Sequence, residues 1–494
     1  MGKAIMVQGT ASHVGKSILT AALCRILRQE GFSVAPFKSQ NMALNSYVTP
    51  DGLEIGRAQA LQAEACGIEP EVAMNPILLK PTGEMSAQVV VMGKPLANMT
   101  AREYRENYLD NAIPIVKQAL DELLGRYDVV VMEGAGSPVE LNLKDRDIVN
   151  MAAAKLANAP VLMIGDIDRG GIFASLYGTV SLLPPDERGL VVGLIVNKFR
   201  GDLSLFADGV KMLEDLTHKP VLGVIPYLFN LDLDEEDSVS LDNWHQTIPA
   251  DINIAVLNLP RISNFTDFAP LACEAGVRLF YTTSCDEVLA ADVVIIPGTK
   301  NTVADLAFLR ETGLAEALLI AARQGRKIIG ICGGYQLLGH DILDPYSVET
   351  DTKAAVGLGL LPITTTFHPT KTTVRCQAIS KLPFYSGSIL GYEIHMGNSV
   401  VTGTSAFEID DNSTHLDGCI NEAGNIWGTY IHGVFDNDEF RWALTNSVRE
   451  AKGLRPLHEG VRYRDHREAE LDRLAAHVRK HLDIERILQI TGLR

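Results

Sequence analysis

Two doubly wound α/β domains in series, the first a P-loop parallel-sheet domain, are what this 494-residue sequence predicts. Three observations carry that expectation. Up to Asn230, short continuous apolar runs alternate with amphipathic stretches, the pattern of parallel strands covered on both faces. An acidic stretch from Leu231 to Asp242 then breaks the pattern and reads as an exposed connection. A second alternating set follows, in a chain well above the ~100–200 residues of one domain.

Taken in order, Ala4-Ile5-Met6-Val7 is the first strand, and Ser17 to Glu30 is a helix closed by Gly31. Ser33 to Phe37, Asp128 to Met132, Val161 to Ile164 and Val191 to Val196 are further strands. Beyond the break, Ile252 to Leu257, Val293 to Ile296 and Ile328 to Ile331 read as buried strands, with Gly313 to Gln324 as the helix between the last two. Arg464 to Leu488 is charged and helical, and is expected to pack on the surface. The expected division is 1–232 for the first domain, 233–250 for the acidic linker, 251–450 for the second domain and 451–494 for the tail. No repeat of 20–50-residue period is visible.

Composition narrows the function. Lys and Arg number 44 against 61 Asp and Glu, a net charge of −17 that argues against nucleic-acid or anionic-membrane partners. Seven Cys without a C-x-x-C pair argue against a disulfide scaffold or structural zinc. Neither a basic segment leading into an apolar one nor a membrane-length apolar span is present, so a cytoplasmic location is expected. Nothing in the sequence sets an oligomeric state.

Gly9-Thr10-Ala-Ser-His13-Val-Gly15-Lys16-Ser17 follows a strand and opens a helix. In that context backbone N–H groups and the helix N-terminus cradle phosphates, Lys16 reaches the terminal phosphates and Ser17 ligates Mg²⁺. Gly9 stands one position earlier than the commonest spacing, and Thr10 takes the usual Gly position. ATP and Mg²⁺ are therefore expected, with Thr10, Gly15, Lys16 and Ser17 at the nucleotide. Glu133 ends the Val129–Met132 run before Gly134-Ala-Gly136, where a carboxylate partner for the metal belongs. Asn197 follows Val191–Val196 and offers its amide to an adenine edge.

Lys327-Ile-Ile-Gly330-Ile-Cys332-Gly333-Gly334 is a strand, a tight turn and a helix start, with a G-x-C-x-G core. Such an elbow lifts a nucleophilic thiol above a sheet edge, at a helix N-terminus that favours an anion. The N–H of Gly333 is positioned to meet an oxyanion, and Gly298, in Ile295-Ile-Pro-Gly298-Thr, is a second candidate donor. The thiol needs a base. His432, in Gly428-Thr-Tyr-Ile-His432-Gly, follows Cys332 by about 100 residues, the order of a spatial pair. His395, in Gly391-Tyr-Glu-Ile-His-Met, competes for the role, while His13 lies in the phosphate loop.

These residues together resemble the cobyric acid synthases, a branch of the glutamine-dependent cobyrinate amidases. The resemblance rests on Gly9-Thr10 with Val14-Gly15-Lys16-Ser17 and on Glu133-Gly-Ala-Gly136, shared with dethiobiotin synthetases. It rests also on the Cys332 elbow of class I glutamine amidotransferases. Phe37-Lys-Ser-Gln-Asn-Met-Ala-Leu-Asn-Ser46 and Gly165-Asp-Ile-Asp-Arg-Gly-Gly-Ile-Phe173 set this branch apart from the cobyrinic acid a,c-diamide synthases. The resemblance implies a class I glutaminase-like second domain. It further implies ATP- and glutamine-dependent amidation of the b, d, e and g carboxylates of adenosylcobyrinic acid a,c-diamide, within cobalamin biosynthesis.

Glutamine and an adenosylated corrinoid are then the expected partners. Lys38, Arg57, Asp168 and Arg169 are candidates to hold the corrinoid, with Lys80 and Arg200 as further cations and Asp166 facing the same cleft. Two departures from the related families stand out. Val434 occupies the place of the Glu that completes many class I triads, so a Cys-His dyad or a third member from elsewhere is expected, with Glu393 as one guess. Ile55-Gly-Arg57-Ala-Gln59-Ala replaces the second metal-binding Asp of the dethiobiotin synthetases, leaving Glu54 as a weak candidate for that ligand. The alternatives are a cobyrinic acid a,c-diamide synthase and a partitioning-type ATPase switch, which would carry an additional early loop Lys where Thr10 and Ala11 stand.

Overall fold

The computed structural model describes residues 2–83, 85–233, 250–410 and 415–494. Most of the expected acidic linker, 234–249, lies outside the described residues. Both α/β domains are present. In the first, six parallel strands run in the order Val221–Pro226, Val191–Phe199, Val161–Asp166, Lys3–Gly9, Val129–Glu133, Val34–Phe37. Val129–Glu133 is buried along its whole length, as a strand covered on both faces must be. The second domain has five parallel strands, Val277–Thr282, Ile252–Leu257, Val293–Ile296, Lys327–Ile331 and Ile426–Thr429, and an antiparallel edge at Cys419–Ile420.

Two additions were not among the expected elements. Gln40–Met42, Ile77–Pro81, Ser86–Val91 and Lys94–Thr100 form a small mixed sheet inserted into the first domain. In the second domain, Ile363–Ser380 and Ser388–Val401 form a long hairpin that pairs at its inner end with Ile431–His432. Both additions face the domain interface and carry residues into it.

The tail is more than a surface cover. Helices Tyr463–His481 and Ile484–Thr491 return to the first domain. There Leu471, Leu474, Val478, Ile487 and Leu488 join the core of Leu19, Leu23 and Leu27 from helix Lys16–Gln29. Arg25, almost buried, is paired with Glu468 and Asp472, both at 2.7 Å. The apolar burial supplies most of the docking energy, while the half-exposed acids contribute little more than register. No helix among the described residues is long and apolar enough to cross a membrane.

Candidate active site

The phosphate loop leaves the C-terminal end of the central strand, and Thr10 N–H donates to Ile164 O at 2.9 Å on the neighbouring strand. Gly15 has φ 99°, and a Cβ there would come within 2.3 Å of Asn197 Nδ2, so both backbone and space call for glycine. Asn197 was expected at the adenine. Its amide N–H donates to Val14 O at 2.9 Å and holds the loop. Lys16 Nζ donates to Ala11 O and Gly136 O, at 2.8 and 3.2 Å.

Ser17 Oγ donates to Glu133 Oε1 at 2.8 Å, joining the two residues expected at the metal. A hydroxyl and a carboxylate at the ends of adjoining elements are hard oxygen donors, a set that fits Mg²⁺. Lys38 is not presented to a surface cleft. Its Nζ lies 3.0 Å from Glu133 Oε1, both side chains buried. Gln62, which sequence reasoning missed, donates from Nε2 to Glu133 Oε2 at 2.6 Å. The only signal for it was a second glutamine three residues after Gln59 on the helix Arg57–Cys66.

The other substrate candidates divide. Asp168 and Arg169 are exposed on the turn after strand Val161–Asp166, beside the phosphate-loop strand. Asp168 pairs with Arg200 at 2.6 Å, and Asp166 with Lys198 at 3.2 Å. Arg57 lies elsewhere, over the Tyr47 ring at 5.1 Å. Glu54, the weak candidate for a second metal ligand, is corrected. Its strand Glu54–Gly56 pairs with Ser46–Val48 and delivers the carboxylate to the domain interface, between Lys80 at 2.7 Å and Lys371.

Cys332 sits between strand Lys327–Ile331 and helix Gly333–Leu337 with φ 51° and ψ −108°, a strained backbone for a non-glycine residue. The turn closes because Gly334 has no side chain: a Cβ there would fall 1.9 Å from Ile296 O. The Gly298–Thr299 strand lies against the elbow, since a Cβ on Gly333 would meet Thr299 N at 2.9 Å and one on Gly298 would lie 3.5 Å from His432 Cε1. The expected quartet of Cys332, Gly333, Gly298 and His432 is thus assembled in space.

His432 is 1% exposed, and its Nδ1 meets Asp267 Oδ2 at 2.6 Å. Asp267 also accepts from Gly433 N–H at 3.2 Å. Burial alone would pull the imidazole down, but the Asp267 carboxylate, with Cys332 beside the ring, outweighs it and pushes His432 up to about 10. Glu393, the guessed third member, is corrected: its Oε2 meets His395 Nε2 at 3.0 Å. The other nitrogen of His395 faces Gly397 O at 2.7 Å, and its ring stacks on Tyr430, so His395 is committed to other partners. Asp267 lies in the one-turn helix Phe265–Phe268, where the only local signal was one acid among buried Phe residues.

A cavity in front of Cys332 and His432 is lined by both domains, with Lys80 from the first and Lys300, Lys371, Gln336 and Glu349 from the second. Burial lowers Lys300, Lys80 adding to the effect, and raises Glu349 to about 7 against the pull of Lys300. Glu54 sits between two ammonium groups. Burial would raise its pKa, yet Lys371 and Lys80 hold it well below the usual carboxylate range. One carboxylate cannot compensate two buried cations, and burial pulls Lys371 down to about 7 despite Glu54 beside it.

Comparison with known proteins agrees with this division of labour. Residues 253–440 match the family described as a CobB/CobQ-like glutamine amidotransferase domain. Residues 5–240 match the CobQ/CobB/MinD/ParA nucleotide binding domain. Proteins named cobyric acid synthase are similar over the full length. That of Caldanaerobacter subterraneus subsp. tengcongensis is 50% identical over 99% of this chain and 99% of its own. Those of Desulforamulus reducens, 50% identical over 100% of this chain and 99% of its own, and of Clostridium botulinum, 51% over 99% of each, are equally similar.

Proposed function

This chain belongs to the cobyric acid synthase family, and we propose that it converts adenosylcobyrinic acid a,c-diamide to adenosylcobyric acid by ATP- and glutamine-dependent amidation of the b, d, e and g carboxylates. The observation that carries this reading is a thiol–imidazole–carboxylate set and a phosphate-loop carboxylate centre in one chain that matches its relatives end to end. A carboxylate does not expel oxide to ammonia, so its oxygen first attacks the γ-phosphorus of ATP and ADP leaves. Lys16 offsets the charge of that transfer. Ser17 and Glu133 would hold Mg²⁺, which supplies charge neutralisation on the phosphates when bound.

At the second site the Cys332 sulfur attacks the glutamine amide carbon, and the oxyanion is met by the N–H groups of Gly333 and Gly298. His432 gives its proton to the departing nitrogen, so ammonia leaves and a thioester remains. Water, activated by the same imidazole, then releases glutamate. Ammonia displaces phosphate from the acyl phosphate to form the amide. Asp168, Arg169 and Arg200, on the exposed rim beside the phosphate loop, are the proposed contacts for the corrinoid side chains.

Mass spectrometry after incubation with ATP, glutamine and a corrinoid panel tests the reading. Four successive amidations of the a,c-diamide are expected. A chain that stops at the a and c positions of the unamidated corrinoid would instead be a diamide synthase.

Two site predictions belong here. Asp267→Asn should lower glutamine hydrolysis on the order of 10²-fold, because His432 loses the charge that orients and protonates it. Since that charge raises His432, its removal lowers the pKa, and the basic limb of the kcat/KM profile should move to lower pH. His395→Ala should cost less than about tenfold, and the reverse ranking in a glutaminase assay would transfer the base role to His395. Glu133→Gln should lower synthesis from either nitrogen source on the order of 10²-fold and raise the Mg²⁺ requirement, with glutamine hydrolysis largely kept. Unchanged Mg²⁺ dependence would remove Glu133 from the metal.

A further inference from the structure

Between the two sites runs a seam of buried polar side chains whose number and order neither reaction accounts for. It begins at the glutaminase cavity with Lys80 and Lys371 on Glu54. Two residues beyond Glu54, three amides converge on Gly56. A Cβ there would meet Gln59 Oε1 at 2.7 Å, Asn41 Nδ2 at 2.9 Å and Asn75 Oδ1 at 3.0 Å. Asn41 Nδ2 donates to Gln59 Oε1 at 3.0 Å, and Asn75 Nδ2 donates to Lys38 O at 3.0 Å. One helical turn past Gln59 stands Gln62, on Glu133 Oε2 and Ser17 O. Apart from Lys371, whose side chain is 4% exposed, every one of these side chains belongs to a buried residue, Gln59 and Gln62 being 0% exposed.

Buried amides in a stable core satisfy all their polar atoms, because an orphan is costly. This seam departs from that rule at two successive positions. Gln59 Nε2, a donor, and Gln62 Oε1, an acceptor, meet no hydrogen-bond partner among the described residues. They sit three residues apart on the helix Arg57–Cys66, Gln59 against Gly56, two residues from the Glu54 that holds the cavity lysines, and Gln62 on the phosphate-loop carboxylate. Ammonia has one lone pair and three N–H bonds, so it accepts from the first and donates to the second.

We propose that this seam is the route by which ammonia released at Cys332 reaches the phosphate-loop centre, with Gln59 and Gln62 as its relay. The inference rests on the amidation reading above and adds the residues of the path to it. The mouth, lined by Lys80, Lys300 and Lys371, is a buried site that pulls Lys300 and Lys371 toward their neutral forms, and the same burial favours neutral ammonia over ammonium as the species that enters. Gly56 is part of the same device, since any side chain there would occupy the point where the three amides meet.

The test is Gln59→Leu, which keeps volume and removes both polar atoms. Glutamine hydrolysis and synthesis from ammonium salt are expected to stay within about twofold of the parent, while glutamine-driven amidation falls about tenfold. Glutamine consumed per amide formed then rises well above one. With amide-¹⁵N glutamine in unlabelled ammonium, the parent's product keeps its label and the variant's product is diluted. An undiluted product at the parent ratio overturns the route. So does a parallel loss of glutamine- and ammonium-driven synthesis, which marks a structural role. Asn41→Leu, one step along the seam, gives the same decision should Gln59→Leu not fold. A parent enzyme that forms no amide from either nitrogen source would refute the amidation reading itself, an outcome separate from any of these.

Discussion

Cys332→Ala is expected to abolish glutamine-driven amidation, by at least about 10⁴-fold, and to leave ammonium-driven amidation within about twofold of the parent. The size of the first effect follows from covalent chemistry. Without the sulfur there is no thioester, and His432 and the backbone N–H groups have no nucleophile to serve. The sparing of the second follows from the architecture. Cys332 stands at a strand end of the second domain's sheet and Lys16 opens the helix Lys16–Gln29 of the first domain, and each domain is built on a core of its own. Alanine is smaller than cysteine and Cys332 is 8% exposed, so the cavity left is about one sulfur atom at a site already open to the glutamine pocket. The measurement is amide formation from each nitrogen source, with circular dichroism on the same preparation. Loss of both activities in a folded protein would refute the two-site scheme.

What the sequence disclosed about these sites, and what it hid, follows from distance along the chain. The phosphate loop and the elbow are each a strand, a turn and a helix within about a dozen residues, and their glycines record backbone demands that no other residue meets. Cys332, Lys16 and Ser17 stood out as candidates for that reason, Glu133 because it closes a continuous apolar strand, and His432 because it follows Cys332 at the end of a short strand. Asp267 was not, because it reaches His432 across 165 residues and approaches from the N-terminal side, opposite to where Val434 had directed attention. Glu393, one guess for the third member, lies two residues from His395, and that proximity is why it is paired there and not with His432. Glu54 misled for a related cause. It is the acid next to the stretch where dethiobiotin synthetases carry a metal-binding Asp, but the hairpin Ser46–Val48 and Glu54–Gly56 turns it to the other domain.

The long hairpin of the second domain was legible in principle. Ile363–Ser380 alternates buried and exposed positions at its two ends, the two-residue period of a half-covered sheet. A search guided by continuous apolar runs finds parallel strands and passes over such a stretch. The polar seam was illegible for a deeper reason. Asn and Gln are common on surfaces, and nothing local distinguishes the buried Asn41, Gln59, Gln62 and Asn75 from solvated ones. Only packing converts them into a continuous path.

Lys16→Ala is expected to lower synthesis from both glutamine and ammonium salt on the order of 10²-fold or more, with glutamine hydrolysis retained. The asymmetry with Cys332→Ala is the point of the comparison: one variant loses a nitrogen source, the other loses the activated acceptor. The chain carries a net charge of −17, and the reaction joins a polyanionic nucleotide to a carboxylate, so attraction at the transfer centre must be local. Lys16 is the loop's own cation, within reach of backbone oxygens at both Ala11 and Gly136 and hence poised over the space that the loop encloses. Lys38 does not replace it, because its ammonium is already held 3.0 Å from Glu133 in a buried pair. Removing Lys16 leaves that pair and the Ser17–Glu133 contact in place, so the loss should appear in kcat for phosphoryl transfer more than in the fold. Isotope exchange into ATP, followed alongside product formation, reads the transfer directly. Turnover within a factor of about three of the parent would mean that the loop binds nucleotide through its backbone alone, and that the charge on Lys16 has no share in the transition state.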